Sequence, residues 1–267
     1  MIKSEDIELG GVCVKVFNDD CIQVMQQMEE GSVDLTVTSP PYDNLRTYEG
    51  SLDWNEDIWK QVLEGLYRVT KDGGVVVWVV GDSTIKGSET GTSFKQALYA
   101  MECGFNLHDT MVWDKGCFTA PCVNRYGNVF EYMFILSKGS PMSATLIKDR
   151  KNKKSGQKIY GTKRRADGSM EITSKHGTVR SDYGQRFNIW SQPCVQSHTE
   201  RTGHPAQFPE QLAHDHIISW SNKGDTVFDP FLGSGTTGVA AKKLNRSFIG
   251  VEKVDKYYDL AKERIGS

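Results

Sequence analysis

"VFDPFLGSGTTGVAAKKLNRSFIGVE", residues 227–252, decides how the rest of this chain is read. An apolar run ends at Asp229, a glycine-rich turn follows, and a helix-forming stretch opens at Thr236-Thr237. A second apolar run then ends on Glu252. Gly233 and Gly235 permit a sharp bend and let the backbone approach a ligand with no Cβ in the way. The helix start beyond them offers unpaired N–H groups and the positive end of a helix dipole to an anionic ligand group. An acidic residue closing the next strand is placed to accept hydrogen bonds from ribose hydroxyls.

Gly233, Gly235 and Gly238 also spell G-x-G-x-x-G, the dinucleotide fingerprint. Two features weigh against a nicotinamide cofactor. The motif begins 35 residues before the end of the sequence, which leaves no following half-sheet, and the Asp-Pro-Phe before it has no part in cradling a pyrophosphate. No Lys-Ser/Thr follows the loop, so a P-loop is excluded. An NAD(P)-dependent oxidoreductase stays as a remote alternative of another class.

Working outward, the same alternation of short apolar runs and amphipathic stretches extends along the chain. "CVKVF" (13–17), "VDLTVT" (33–38), "VVVWVV" (75–80), 107–113, 129–136, "DTVFDP" (225–230) and "SFIGVE" (247–252) read as strands. Helices are expected at 21–28, closed by Gly31, and over 93–102, 208–221, 236–244 and 254–265. Another is expected from Leu52 to Thr70, where Trp54, Ile58, Val62, Leu63, Leu66 and Val69 recur at three- and four-residue steps. "KDGG" (71–74) stops that helix and feeds the next strand. Strands alternating with helices imply an α/β fold with a mostly parallel, helix-covered sheet. Between about 138 and 190 the periodicity fades, as in an inserted functional region.

Composition narrows the class. The 267 residues carry a net charge of −2, yet residues 148–186 hold 12 Lys and Arg against four Asp and Glu, a local excess of eight positive charges. The rest of the chain is therefore at −10. A basic island on an acidic body suggests a localised polyanion contact, although charge alone fits a solvated loop equally well. The longest apolar run, 75–80, is too short for a bilayer, which needs about 20 residues. The start "MIKSEDIELGG" has no apolar h-region, so the chain reads as cytoplasmic. Six cysteines, at 13, 21, 103, 117, 122 and 194, form no C-x-x-C pair and read as free thiols of a reducing compartment. A zinc site using Cys117, Cys122 and a histidine is the alternative, for which the spacing is not diagnostic, and no metal is expected. His214 and His216 lie two apart on a helix and point to different faces. Trp54 and Trp59 read as core residues.

A second motif gives the glycine loop its meaning. "TVTSPPYDNLRTYEG" (36–50) sets two prolines and an aromatic at a strand end. "SPPY" there, with "DPFLGSGTT" later, resembles the S-adenosylmethionine-dependent DNA amino-methyltransferases, which methylate the exocyclic nitrogen of adenine or cytosine. The order, "SPPY" first and the glycine loop last, is similar to that family's permuted β class. The likeness also runs through "NDDC" (18–21), "VTKDGGVVVWVVGD" (69–82), "VWDKG" (112–116), "NRYGNVFEYMFILSKG" (124–139) and "GHPAQFPEQL" (203–212). It implies a Rossmann-like, mostly parallel seven-stranded sheet with helices on both faces. Residues 1–139 and 196–267 then form the catalytic domain, with 140–195 as the target-recognition insertion.

The resemblance also implies roles. Ser39 Oγ and the Pro40 carbonyl would accept hydrogen bonds from the target amine, whose lone pair is otherwise delocalised into the base ring. Pro40 and Pro41 fix those acceptors in place, and Tyr42 would stack on a base flipped out of the duplex. Direct attack on the sulfonium methyl needs alignment more than acid–base power. Asp229, Phe231, Gly233, Gly235 and Thr236 would flank the methionine part of the cofactor, Glu252 its ribose and Asp20 its adenine. Ser234, His204 and Pro205 join this cofactor-binding set. Arg46, Lys151, Lys153, Lys154, Lys163, Arg164 and Arg165 are candidate contacts to double-stranded DNA. Ser before Pro-Pro-Tyr favours N4 of cytosine, and N6 of adenine is the alternative. Cytosine C5 methylation would need a cysteine nucleophile after a proline. Pro121-Cys122 and Pro193-Cys194 exist, but outside any strand-end motif. A non-catalytic nucleic-acid binder would not need the cofactor loop. A restriction endonuclease partner and a homodimer are left open by the sequence.

Overall fold

The computed structural model describes residues 3–9, 11–42, 54–116, 124–194, 202 and 207–267. The chain opens with β1 (Lys3–Leu9), β2 (Val12–Asn18), α1 (Cys21–Gln27) and β3 (Val33–Thr38). There follow α2 (Glu56–Val69), β4 (Thr70–Val80), the short strands β5 (Thr84–Ile85) and β6 (Ser88–Glu89), and α3 (Thr92–Glu102). Next are β7 (Asn106–Asp114), β8 (Phe130–Ser137), β9 (Arg150–Lys151), β10 (Thr162–Arg164), β11 (Met170–Ile172), β12 (Tyr183–Gly184) and β13 (Ile189–Ser191). The C-terminal part is α4 (Glu210–Trp220), β14 (Thr226–Asp229), α5 (Thr236–Lys243), β15 (Ser247–Glu252) and α6 (Asp255–Gly266).

The central sheet has the order β1-β2-β15-β14-β3-β4-β8-β7-β13. From β2 through β4 every neighbour pair is parallel; β8 runs against both β4 and β7. Two sets of three helices, α1–α2–α3 and α4–α5–α6, pack within themselves and against the sheet, covering both faces. Coverage on both faces explains why Val75–Val80 is apolar at every position: all six side chains are buried.

The nine strands of this sheet correct the expected seven. The seven are present, and each edge carries one more. β1 adds an antiparallel ladder to β2, and β13 pairs in parallel with β7 at Ile189↔Val112. Neither was legible: "KSEDIEL" is mostly charged, and "IWS" is three residues long. "KDGG" also behaves differently from its reading as a helix stop. α2 ends at Val69, and Thr70 already pairs with Val33; a register shift then absorbs the two glycines inside the strand.

Local chemistry sets the helix boundaries. Asn55 caps α2, its side chain accepting from Ile58 N at 3.1 Å, with Glu56 and Asp57 in the first turn and Arg68 in the last. Fourteen residues are marginal as an isolated helix, so α2 is held by burying Trp59, Val62, Leu63, Leu66 and Val69. They meet Trp78, Phe134 and Leu136 of the sheet and Val24 and Met25 of α1 in one apolar cluster.

Contacts divide the chain into a body, Met1–Thr145 with Asn188–Ser267, and a compact unit, Leu146–Phe187. That unit is narrower than the 140–195 insertion read from the sequence, because β13 belongs to the central sheet. It is not featureless: β10 pairs with β11 and β12 with β9, both antiparallel.

Candidate active site

Four neighbouring parallel strands, β2, β15, β14 and β3, end on the same side of the sheet. The loops leaving their C-terminal ends form a cleft of about 260 Å³, where ligands of open α/β sheets bind. Each strand contributes to its wall: Asp19 and Asp20 after β2, Glu252 at the end of β15 with Val254 beyond it, Phe231, Leu232, Gly233, Ser234 and Thr236 after β14, Ser39 and Pro41 after β3. "SPPY" and the glycine loop are adjacent because β3 and β14 pair at Val227↔Leu35 and Phe228↔Thr36.

Glu252 organises the glycine loop. Its Oε2 accepts from Gly233 N at 2.8 Å and its Oε1 from Val254 N at 2.9 Å. Burial pushes its carboxyl above the ordinary value, and those backbone hydrogen bonds oppose the shift. Glu252 also lines the cleft, at 8% exposure. Asp20 caps α1, accepting from Ile22 N at 2.9 Å, and pairs with Lys253 at 3.0 Å. Three carboxylates (Asp19, Asp20, Glu252) thus share a cleft with the apolar surfaces of Ile22, Trp54, Phe208, Phe231 and Tyr257.

The turn itself is held from below. Gly235 has φ +81°, and α5 starts on it with no side-chain cap, leaving its first-turn N–H groups uncapped by side chains. The guanidinium of Arg264 donates to the Ser234 carbonyl. A Cβ on Gly235 would lie 3.0 Å from Cα and Cβ of Ala261, so α6 leaves it no room. Gly235→Ala therefore carries both left-handed strain and a backbone clash, about 2–4 kcal/mol in urea unfolding. Gly224→Ala, with φ +87° and nothing within 4 Å, carries the strain alone. The two variants should separate by at least about 1 kcal/mol. Gly238, the third glycine of the fingerprint, serves packing: a Cβ there would meet Ile265 Cδ1 at 2.5 Å.

Asp229 lies beneath the loop rather than on the cleft wall, at 1% exposure. One carboxylate oxygen accepts from Thr38 Oγ1 at 2.6 Å and from Phe231 N at 3.1 Å. It therefore joins the ends of β3 and β14, a support for the site and not a wall of it. Burial raises its carboxyl from 3.8 to about 6, against the lowering effect of the Thr38 hydrogen bond. The folded state then holds this proton more tightly than the unfolded state. Its contribution is complete below about pH 4 and is lost as the pH rises through about 6. Between pH 5 and 7, wild type should lose about 1 kcal/mol of unfolding free energy relative to Asp229→Asn, measured by urea titration at each pH.

On the other side of the cleft, Ser39 is half-buried, and Pro40 and Pro41 are buried. Ser39 Oγ lies 2.8 Å from the Tyr42 hydroxyl. That hydroxyl donates to Glu131 Oε2 at 2.7 Å, and Lys115 Nζ donates to Glu131 Oε1 at 2.9 Å. Tyr42 also packs against the apolar cluster under the sheet.

Of the residues expected at a cofactor, Asp20, Phe231, Gly233, Ser234, Thr236 and Glu252 line the cleft, as do Ser39 and Pro41 of "SPPY". Pro40, Tyr42, Asp229 and Gly235 adjoin these residues in sequence but are not among those that line the cleft. His204, Pro205 and Arg46, with Cys117 and Cys122, lie outside the described residues. Lys151, Lys153, Lys154, Lys163, Arg164 and Arg165 are exposed on the 146–187 unit, where Glu171 pairs with Lys163 and Arg165. Trp54, read as core, also reaches the cleft and meets Phe231 edge-on at 5.4 Å. Thr38, Lys115, Glu131 and Arg264 were missed. A lone glutamate inside the apolar run "FEYMFILS" was the one available signal for Glu131.

The fold and cleft define a nucleotide-cofactor-binding α/β enzyme with two strand-end loops converging on one site. Residues 33–263 match the family model for DNA methylases of the N6/N4 type. The chain is 53% identical over 242 residues to the orphan methyltransferase M.BamHII of Bacillus amyloliquefaciens, covering 88% of this chain and 89% of that one. It is 28% identical to the type II methyltransferase M.SmaI of Serratia marcescens, covering 94% and 90%. Among solved structures, the PvuII DNA methyltransferase (cytosine-N4-specific) superposes with a TM-score of 0.68 at 20% identity, covering 93% and 85%. The DNA modification methylase TTHA0409 of Thermus thermophilus, complexed with S-adenosyl-L-methionine, gives 0.61 at 25% identity, covering 92% of each chain. The chain belongs to the DNA methylase family of S-adenosylmethionine-dependent N6/N4 amino-methyltransferases.

Proposed function

We propose that this enzyme transfers a methyl group from S-adenosylmethionine to N4 of a cytosine flipped out of double-stranded DNA. The carrying observation is Ser39 on the wall of the same cleft as Glu252 and the glycine loop. The cleft suits the cofactor: apolar surfaces for adenine, a buried carboxylate for ribose hydroxyls, and further carboxylates for a cationic ligand. Bound there, S-adenosylmethionine supplies an electrophilic methyl carbon on a sulfonium.

The protein's own part is to hold the amine. Because Tyr42 donates its proton to Glu131, its oxygen can accept from the Ser39 hydroxyl, and the lone pairs of Ser39 then face outward. An oxygen so oriented accepts an N–H of the exocyclic amine and draws its lone pair out of conjugation. The Pro40 carbonyl is the companion acceptor. Serine in this position, and not Asp or Asn, supports cytosine N4. The 146–187 unit, with its exposed Lys151, Lys153, Lys154, Lys163, Arg164 and Arg165, is proposed as the target-recognition region.

The deciding experiment incubates unmodified DNA with the enzyme and labelled cofactor, then digests the product to nucleosides. N4-methylcytosine is expected. N6-methyladenine would overturn the base and retain the cofactor site. Binding of NAD in place of S-adenosylmethionine would overturn the reading altogether.

A further inference from the structure

Methyl transfer to an exocyclic amine leaves a proton to be removed, and nothing in the two motifs accounts for where it goes. Glu131 stands at the start of β8, outside both motifs, and is 7% exposed in an otherwise apolar strand. Burying a carboxylate in such a place is costly unless it is paired and hydrogen-bonded. Both of its oxygens are engaged, by Tyr42 at 2.7 Å and by Lys115 at 2.9 Å. Lys115 follows β7, Tyr42 follows β3, and Glu131 belongs to the strand between β4 and β7, so three separate elements converge on this one carboxylate.

We propose that Glu131 is a positioning residue that orients the Ser39 hydroxyl through Tyr42 and is the terminal acceptor of the proton released by methyl transfer. The inference rests on Ser39 as the amine's acceptor; it does not depend on which base is methylated. Ionised and paired with Lys115, Glu131 fixes the Tyr42 hydroxyl as its donor. This leaves the Tyr42 oxygen as acceptor for Ser39 and fixes the direction of the whole chain. In the reaction the amine lone pair forms the N–CH3 bond while the S–CH3 bond breaks, its electron pair remaining on sulfur as a neutral thioether. The nitrogen, now cationic, gives one proton to Ser39 Oγ. Ser39 gives its own to Tyr42, and Tyr42 gives its own to Glu131, which ends as the neutral acid and returns its proton to solvent. Charge and protons balance at every atom, and Lys115 remains protonated throughout.

The test compares Ser39→Ala, Tyr42→Phe, Glu131→Gln and the double variant Tyr42→Phe/Glu131→Gln. Single-turnover rate, KM for DNA, calorimetric affinity for S-adenosylmethionine and thermal unfolding are measured for each. Glu131→Gln and Tyr42→Phe should each lower the single-turnover rate about 10²-fold. Cofactor affinity, KM and melting temperature should stay close to wild type, and the double variant should be no slower than the slower single. Multiplying losses in the double variant would overturn the chain, as would a Glu131→Gln rate within threefold of wild type. A parallel fall in cofactor affinity and melting temperature would reduce Glu131 to a structural residue. If Ser39→Ala alone is slow, the relay fails while the site stands; if Ser39→Ala is as fast as wild type, the underlying reading of Ser39 fails first.

Discussion

Ser39→Ala should lower turnover about 10³-fold while leaving the affinity for S-adenosylmethionine within about threefold of wild type. Ser39 lies on the cleft wall, whereas Glu252, Arg264 and Asp229 hold the glycine loop by side-chain hydrogen bonds. On the proposed reading, its removal therefore takes away an acceptor that matters when the amine becomes nucleophilic and leaves the proposed cofactor contacts in place. Such a loss appears in the rate constant and spares ground-state binding. Single-turnover rates together with calorimetric titration of the cofactor separate the two quantities. Matching losses in both would show that Ser39 acts as a general cleft contact.

The complementary result is expected for Glu252. Glu252→Ala removes the acceptor of two backbone N–H groups, Gly233 and Val254, in a buried setting. Each donor left without a partner costs about 1–3 kcal/mol, and the hydrogen bonds proposed from Glu252 to the ribose go with them. Cofactor affinity should fall about 10²-fold or more. Glu252→Gln keeps one carbonyl oxygen and should lose about tenfold. Titration calorimetry with S-adenosylmethionine reads both, and an alanine variant that binds within threefold of wild type would remove Glu252 from the cofactor site.

Most of the sheet could be read from the sequence because its strands are buried on both faces, and burial imposes continuous apolar runs such as "VVVWVV". Edge strands escape that constraint. β1 is mostly charged and lies at one edge of the sheet among the described residues, so hydropathy cannot find it. The glycine loop and "SPPY" were legible for a different reason: backbone bends demand particular residue types, which leave a local signature. Residues that serve the site from a distance leave none. Thr38 and Asp229 are 191 positions apart and meet only because β3 and β14 are neighbours. Lys115, Glu131 and Tyr42 are likewise brought together from separate elements. Trp54 packs against the core cluster as read, but it also lines the cleft, because it precedes the Asn55 cap instead of lying within α2.

The ends of β3 and β14 are joined by their ladder and by Thr38 to Asp229, and Thr237 Oγ1 of α5 ties the helix beyond the glycine loop to β3 by donating to the Val37 carbonyl at 3.2 Å. The glycine loop and the "SPPY" loop, proposed to take the methyl donor and the amine, are therefore mounted on one plate. Neither half can travel toward the other without breaking buried hydrogen bonds. In the proposed reaction, the final approach between carbon and nitrogen would then fall to the nucleic acid, whose flipped base would meet a target already set by the sheet.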